Sequence, residues 1–159
     1  MIRERDLSKW LEEATAYSAQ RWGTERFVSG DCHVLAMALY LVSGRCGSLW
    51  ACLRKEVDEE GNVFSTTYSH MVYSPPDDSS WDIDGAEADE RWVGQFDNCE
   101  EPDEDGLVSE FDWVEVPCGH AEQADAQHWL ELHYAQVDRQ LLNAIVVELK
   151  ALPGFVQLD

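Results

Sequence analysis

From Cys32 to Val42 the chain reads Cys-His-Val-Leu-Ala-Met-Ala-Leu-Tyr-Leu-Val, eleven residues without an Asp, Glu, Lys or Arg. A helix through this run is apolar almost all round, so no side of it can face water and it belongs in a core. The segment Phe27-Val28-Ser29-Gly30-Asp31 breaks the pattern before it, and Ser43-Gly44 ends it. The run predicts a buried helix over 31–43, and the rest of the chain has to cover it.

The covering elements follow from hydrophobic period. Leu7, Trp10, Leu11, Ala14, Tyr17 and Trp22 recur at three- and four-residue intervals, which predicts an amphipathic helix over 6–22 with Asp6 as its cap. Leu49, Ala51 and Leu53 alternate with Trp50, Cys52 and Arg54 up to the turn Asp58-Glu59-Glu60-Gly61, which predicts a strand and a hairpin. Val63 to Tyr73, Ser80 to Asp84 and Leu107 to Val116 supply further strands, giving an antiparallel sheet within 48–116. A short helix is expected near Asp89 to Phe96, an acidic solvated loop over 97–105, and a C-terminal helical region over 121–152 that is long enough to break once. The expected fold is therefore α+β, a buried helix packed on an antiparallel sheet in a single domain spanning 1–159. At 159 residues such a domain buries roughly 70% of the surface its unfolded chain exposes, enough to need no staples.

Charge narrows the partners. With 32 acidic against 11 basic residues the net charge is −21, which opposes binding to DNA, RNA or anionic lipid and favours a basic protein or peptide partner. No apolar run approaches the ~20 residues a membrane helix needs. The five cysteines are odd in number and irregularly spaced, and the N-terminus carries acid with no apolar signal region. They are expected to be free thiols in a reducing cytoplasm.

The chemistry concentrates at the start of the buried helix. Unpaired N–H groups and partial positive charge at a helix N-terminus favour a thiolate and can also hold a developing oxyanion, and Cys32 sits there. Most buried cysteines are merely small hydrophobes. What sets Cys32 apart is His70 on one strand and Asp82 on the next, a base and an orienting carboxylate at a separation that puts both on one sheet face. Asp84 shares that face in an extended strand. Pairing His70 with Asp82 leaves a three-residue connection, Pro75 to Asp77, and pairing it with Asp84 leaves five, Pro75 to Ser79. The shorter connection favours Asp82, but only slightly.

The strings Ser29-Gly30-Asp31-Cys32-His33-Val34-Leu35-Ala36-Met37-Ala38-Leu39, Ser69-His70-Met71-Val72 and Trp81-Asp82-Ile83-Asp84-Gly85 together resemble the papain-like cysteine peptidase and transglutaminase superfamily. There a Gly-x-Cys opens the central helix, and a His and a hydrophobic-Asp pair follow on strands. The resemblance spans Gly30 to Gly85, about a third of the chain. It implies acyl transfer at an amide or isopeptide bond, with Cys32 as nucleophile, His70 as base and Asp82 as orienter, through a thioester and without a cofactor or metal. His33 stands where the family usually has an aromatic residue, the tryptophan that usually follows the family histidine is absent, and Gln20 lies too far upstream to serve as the glutamine oxyanion donor.

Other residues carry lesser expectations. Asp31 is expected to cap the buried helix, since a neighbouring carboxylate would raise the thiol pKa. Asp31, His33 and Asp84 flank the triad as candidate binding residues. Cys118, His120, His128 and His133 suggest zinc, but the i, i+5 spacing of His128 and His133 does not set two imidazoles side by side on a helix. Two other functions compete with the enzyme: an acidic inhibitor or DNA mimic of the kind phages use against host defences, and a papain-like scaffold that binds without catalysis.

Overall fold

The computed structural model describes residues 4–94, 102–117, 128–131 and 136–152. In chain order they form α1 (Glu4–Trp22), α2 (Thr24–Ser29), α3 (Cys32–Val42), β1 (Ser48–Val57), β2 (Val63–Ser74), β3 (Trp81–Asp82), β4 (Gly85–Ala86), α4 (Ala88–Gly94), β5 (Val108–Val116) and α5 (Arg139–Lys150). Residues 128–131 are also helical. The fold is α+β, with a five-stranded antiparallel sheet in the order β4-β3-β2-β1-β5.

The apolar helix lies where its composition demands. Every residue of α3 except Leu41 is buried, and the helix packs between the sheet and α5, with α2 beside it. Leu35, Met37 and Leu39 meet Leu49, Ala51, Met71, Tyr73 and Val116 from one sheet face and Leu142, Ile145 and Leu149 from α5. Each such side chain contributes about 1.5–3 kcal/mol on burial. The other face of the central strands carries Trp50, Cys52, His70, Val72 and Trp113, because Trp50 pairs with Val72 and Cys52 pairs with both His70 and Trp113. Gly47 lets the start of β1 approach the end of β2: a Cβ there would stand 2.2 Å from the Ser74 carbonyl oxygen. Among the described residues no helix is long and apolar enough to cross a membrane.

Several boundaries differ from expectation. Asp6 lies within α1, two residues after Glu4, rather than ahead of its first turn. Thr24–Ser29 is helical, so the interruption before α3 narrows to Gly30-Asp31, where the Asp31 N–H still reaches the Arg26 carbonyl. Asp31 is the N-cap residue of α3 by position, yet its side chain caps nothing and is held by Arg26 Nε at 3.1 Å instead. The C-terminal region is interrupted: residues 136–138 lie outside any helix, and the Asp138 carboxylate accepts from the Leu141 N–H to open α5 afresh. Most of the acidic stretch 97–105 and much of 121–152 lie outside the described residues.

The β2–β3 connection overturns the expected register. Tyr73 pairs with Trp81, which sets Ser74 against Ser80 and leaves the five residues Pro75 to Ser79 as the loop. The loop holds itself: Asp77 accepts from the Ser79 N–H and hydroxyl, Ser74 Oγ donates to the Ser79 carbonyl, and Asp78 takes a left-handed φ of 64°. The strand after it is only Trp81–Asp82, because the chain turns at Ile83-Asp84 before β4. Asp84 is therefore exposed at a turn rather than on a strand face beside Asp82.

Candidate active site

Cys32 is the first residue of α3, and His70 and Asp82 come from β2 and β3. Asp82 stands diagonally from His70 across the β2–β3 ladder, within reach for these side chains, and His70 Nε2 donates to Asp82 Oδ2 at 2.9 Å. That bond fixes the tautomer: with the proton on Nε2, Nδ1 of a neutral His70 is left as a lone pair. Nδ1 is buried and has no hydrogen-bond partner of acceptable geometry, although His70 lies close enough to Cys32 to shift its proton affinity.

A break in the β1–β2 ladder shapes the approach. Cys52 pairs with His70 and Leu53 with Tyr68, so Ser69 is an extra residue that disturbs strict alternation. Tyr68 and His70 both act on Cys32: the Tyr68 hydroxyl lies 2.9 Å from Cys32 Sγ, and His70 interacts with the thiol as above. His33, the next residue on α3, donates from Nε2 to the Gln136 carbonyl at 2.9 Å and packs edge-on against Tyr68. Its Nδ1 is likewise buried without a partner. The thiol is thus bracketed by two imidazoles and a phenol.

The proton balance follows from this bracket. Burial on its own would push the Cys32 thiol up, but the His33 and His70 imidazoles beside it, the Tyr68 hydroxyl and the charge of His70 outweigh it, and the pKa falls to about 6. Burial would lower His70, but its bond to Asp82 and the neighbouring Cys32 sulfur overcome that and raise it to about 9. Between these values the stable pair is thiolate and imidazolium. His33 is also raised, against its own burial, by Cys32, by the Gln136 carbonyl and by Asp31. Asp82 is lowered despite burial, first by His70 and then by Arg91.

Three residues of this arrangement were not singled out by sequence. Tyr68 bonds the thiol. Arg91 on α4 donates from Nη2 to Asp82 Oδ1 and to the Gly85 carbonyl, both at 2.9 Å, and from Nε to the Ala86 carbonyl. Trp92 stacks on His70 with centroids 4.2 Å apart. Arg91-Trp92 sits in the predicted helix, but nothing in a helical period says that it closes over Asp82 and His70.

The remaining candidates fall into place around them. Asp31 pairs with Arg26 and acts on His33 through its charge. Asp84 does not touch His70; its N–H donates to Asp82 Oδ1 and its carboxylate lies 3.8 Å from Arg91 Nη1. Gln20 is exposed on α1 and His128 is exposed, while Cys118, His120 and His133 lie outside the described residues. Cys32, His70 and Asp82 retain only 6%, 2% and 6% of their exposure, so the site is closed over rather than set in an open cleft.

Comparison with family models, curated proteins and solved structures finds no match to this chain. The functional reading therefore rests on the chemistry of these side chains.

Proposed function

We propose that this protein is a cysteine-dependent hydrolase or acyltransferase of papain-like or transglutaminase-like type, acting on an amide or isopeptide bond. The observation that carries the reading is the chain from Arg91 through Asp82 and His70 to a Cys32 thiol whose pKa is brought down to about 6. A structural cysteine in this much burial should bind its proton more tightly, as Cys52 does at about 12.

In this reading the Cys32 thiolate attacks the acyl carbon and the carbonyl π electrons move to oxygen. The first N–H groups of α3 have no carbonyl within the helix and would meet that oxyanion. Collapse expels the amine, which takes its proton from His70 Nδ1, and leaves a thioester on Cys32. Neutral His70 then removes a proton from water or an acceptor amine as it attacks the thioester, and Cys32 departs as thiolate. Asp82 keeps Nε2 protonated throughout, so Nδ1 is the nitrogen that exchanges the proton. A reducing cytoplasm suits a mechanism that needs a free thiol.

The direct test is acyl-enzyme trapping with 4-nitrophenyl acetate, quenched in acid and mapped by mass spectrometry. A stoichiometric burst with acetate on Cys32, lost in Cys32→Ala, is the expected result. Acetylation spread equally over Cys32, Cys46 and Cys52, or absent from Cys32, would refute the reading.

A further inference from the structure

Along β2 from His70 the same sheet face opens into a concavity of about 280 Å³ lined by Trp50, Val72, Ser74, Asp78, Ser80, Asp89 and Trp113. Val72 is two residues from His70 on β2, Ser80 is two residues before Asp82, and Trp113 stands across Cys52, which itself pairs with His70. The concavity is therefore continuous with the strand positions that hold the base and its carboxylate.

Its lining has a definite chemistry. Two half-buried indoles supply aromatic surface, and the Trp50 N–H is already spent on Ser48 Oγ. Two exposed carboxylates, Asp78 and Asp89, stand at the same opening, and the Ser80 hydroxyl donates to Asp89 to fix its position. Among the described residues no Lys or Arg lines the concavity and neither carboxylate is in an ion pair. A pocket with indole walls and uncompensated carboxylates attracts a group with an apolar stem and a cationic head.

We propose that this pocket binds the side chain of a lysine or arginine on the protein or peptide that the Cys32 site acts upon. Binding of the cation stands on the pocket alone; its service as a substrate subsite rests on the acyl-transfer reading. The stem lies against Trp50, Trp113 and Val72, the charge faces Asp78 and Asp89, and the long-range field of a chain with net charge −21 favours the same ligand.

The test titrates the full-length chain with N-acetyl-lysine methylamide and N-acetyl-arginine methylamide, following indole N–H resonances, with the norleucine and citrulline analogues as neutral counterparts. Trp50→Phe and Trp113→Phe assign the two signals. The expected result is saturable shifts of both by the cationic amides, with affinity lowered about tenfold or more for the neutral analogues and in Asp78→Asn/Asp89→Asn. Asn tolerates the left-handed backbone of Asp78 and keeps an acceptor for Ser80, and circular dichroism reports whether the fold is kept. Equal binding of neutral and cationic amides, or binding unaffected by the double substitution in a folded chain, overturns the proposal. Cys32→Ala separates the two readings: it abolishes acylation and leaves the indole shifts unchanged. Loss of those shifts in folded Cys32→Ala would mean that the ligand sits elsewhere.

Discussion

Cys32 and Cys52 are both buried on His70, yet they hold their protons with opposite strength. Cys52 faces His70 across the β1–β2 ladder, and burial together with the charge of Asp112 pushes its thiol up to about 12. Cys32 meets His33, His70 and Tyr68 and falls to about 6. Proximity to an imidazole does not by itself activate a thiol; the groups around it must outweigh burial, which those at Cys32 do and the Trp92 contact at Cys52 does not.

This difference predicts selective alkylation. With iodoacetamide at about pH 7, Cys32 should be modified well ahead of Cys52, because only the thiolate attacks. Peptide mapping over a time course measures both rates in one sample. Comparable rates at the two cysteines in the folded protein would remove the basis for calling Cys32 a nucleophile.

The two coupled pKa values predict how activity and stability differ in their pH dependence. Activity should rise through about pH 6 as Cys32 ionises and fall through about pH 9 as His70 loses its proton. For stability the signs oppose. The lowered Cys32 stabilises the fold above its ordinary value near 9.0, and that contribution is lost as pH falls through about 6. The raised His70 stabilises it below its ordinary value near 6.5, and that contribution is lost as pH rises through about 9. Between about pH 6.5 and 9 the folded pair holds one proton and the unfolded pair also holds one, so their slopes cancel. Thiolate absorbance should therefore titrate near pH 6, while the contribution of this pair to denaturation midpoints stays nearly flat across that window. A thiolate transition near the ordinary cysteine value would contradict the ion pair.

Much of the fold was legible because its signals are local. The charge-free run at Cys32 to Val42 forces a buried helix whatever surrounds it, and the alternation at Leu49 to Arg54 forces a strand with two faces. Cys32, His70 and Asp82 were legible from residue type and order, and the structure brings them together. The register of β3 was not legible, since loops of three and five residues are both allowed and the choice falls to hydrogen bonds of Asp77 and Ser74. Tyr68 was hidden for a related reason: its place beside Cys32 depends on the extra residue at Ser69. Arg91 and Trp92 act from a short helix after the sheet's edge, and only tertiary packing shows what they close over. Asp31 misled because a capping residue type at the capping position found a stronger partner in Arg26.

Tyr68→Phe removes one hydrogen bond from the thiol and leaves the ring that packs against His33. The Cys32 pKa should rise, with His33 and His70 still holding it below the ordinary value, and the alkylation limb should move to higher pH by the same amount. The pH dependence of the alkylation rate measures this directly. An unshifted limb would show that the phenol contributes nothing to thiolate stability.

The last prediction separates the carboxylate that orients His70 from the groups that hold it. Asp82→Asn presents one acceptor oxygen and one NH₂ where the carboxylate accepts from both Arg91 and His70. Arg91 has no lone pair to offer, so it claims the oxygen and turns the amide NH₂ toward His70 Nε2. That contact stabilises the tautomer with Nε2 bare and Nδ1 protonated, which cannot take a proton on the Cys32 side. Turnover should fall on the order of 10²- to 10⁴-fold, as for orienting carboxylates in other triads. Arg91→Ala keeps the carboxylate but frees it to rotate and leaves the Gly85 and Ala86 carbonyls without their donor. Its cost should be smaller, on the order of ten- to a hundredfold, the scale of a misplaced catalytic group. Asp84→Asn keeps the backbone N–H that donates to Asp82 and loses only an exposed charge 3.8 Å from Arg91, so it should be nearly silent. Turnover of a chromogenic ester or amide by the three variants, with folding checked by circular dichroism, ranks them. A folded Asp82→Asn that works as well as Asp84→Asn would mean that His70 does not depend on Asp82 for its tautomer, and the proton path through Nδ1 would have to be abandoned.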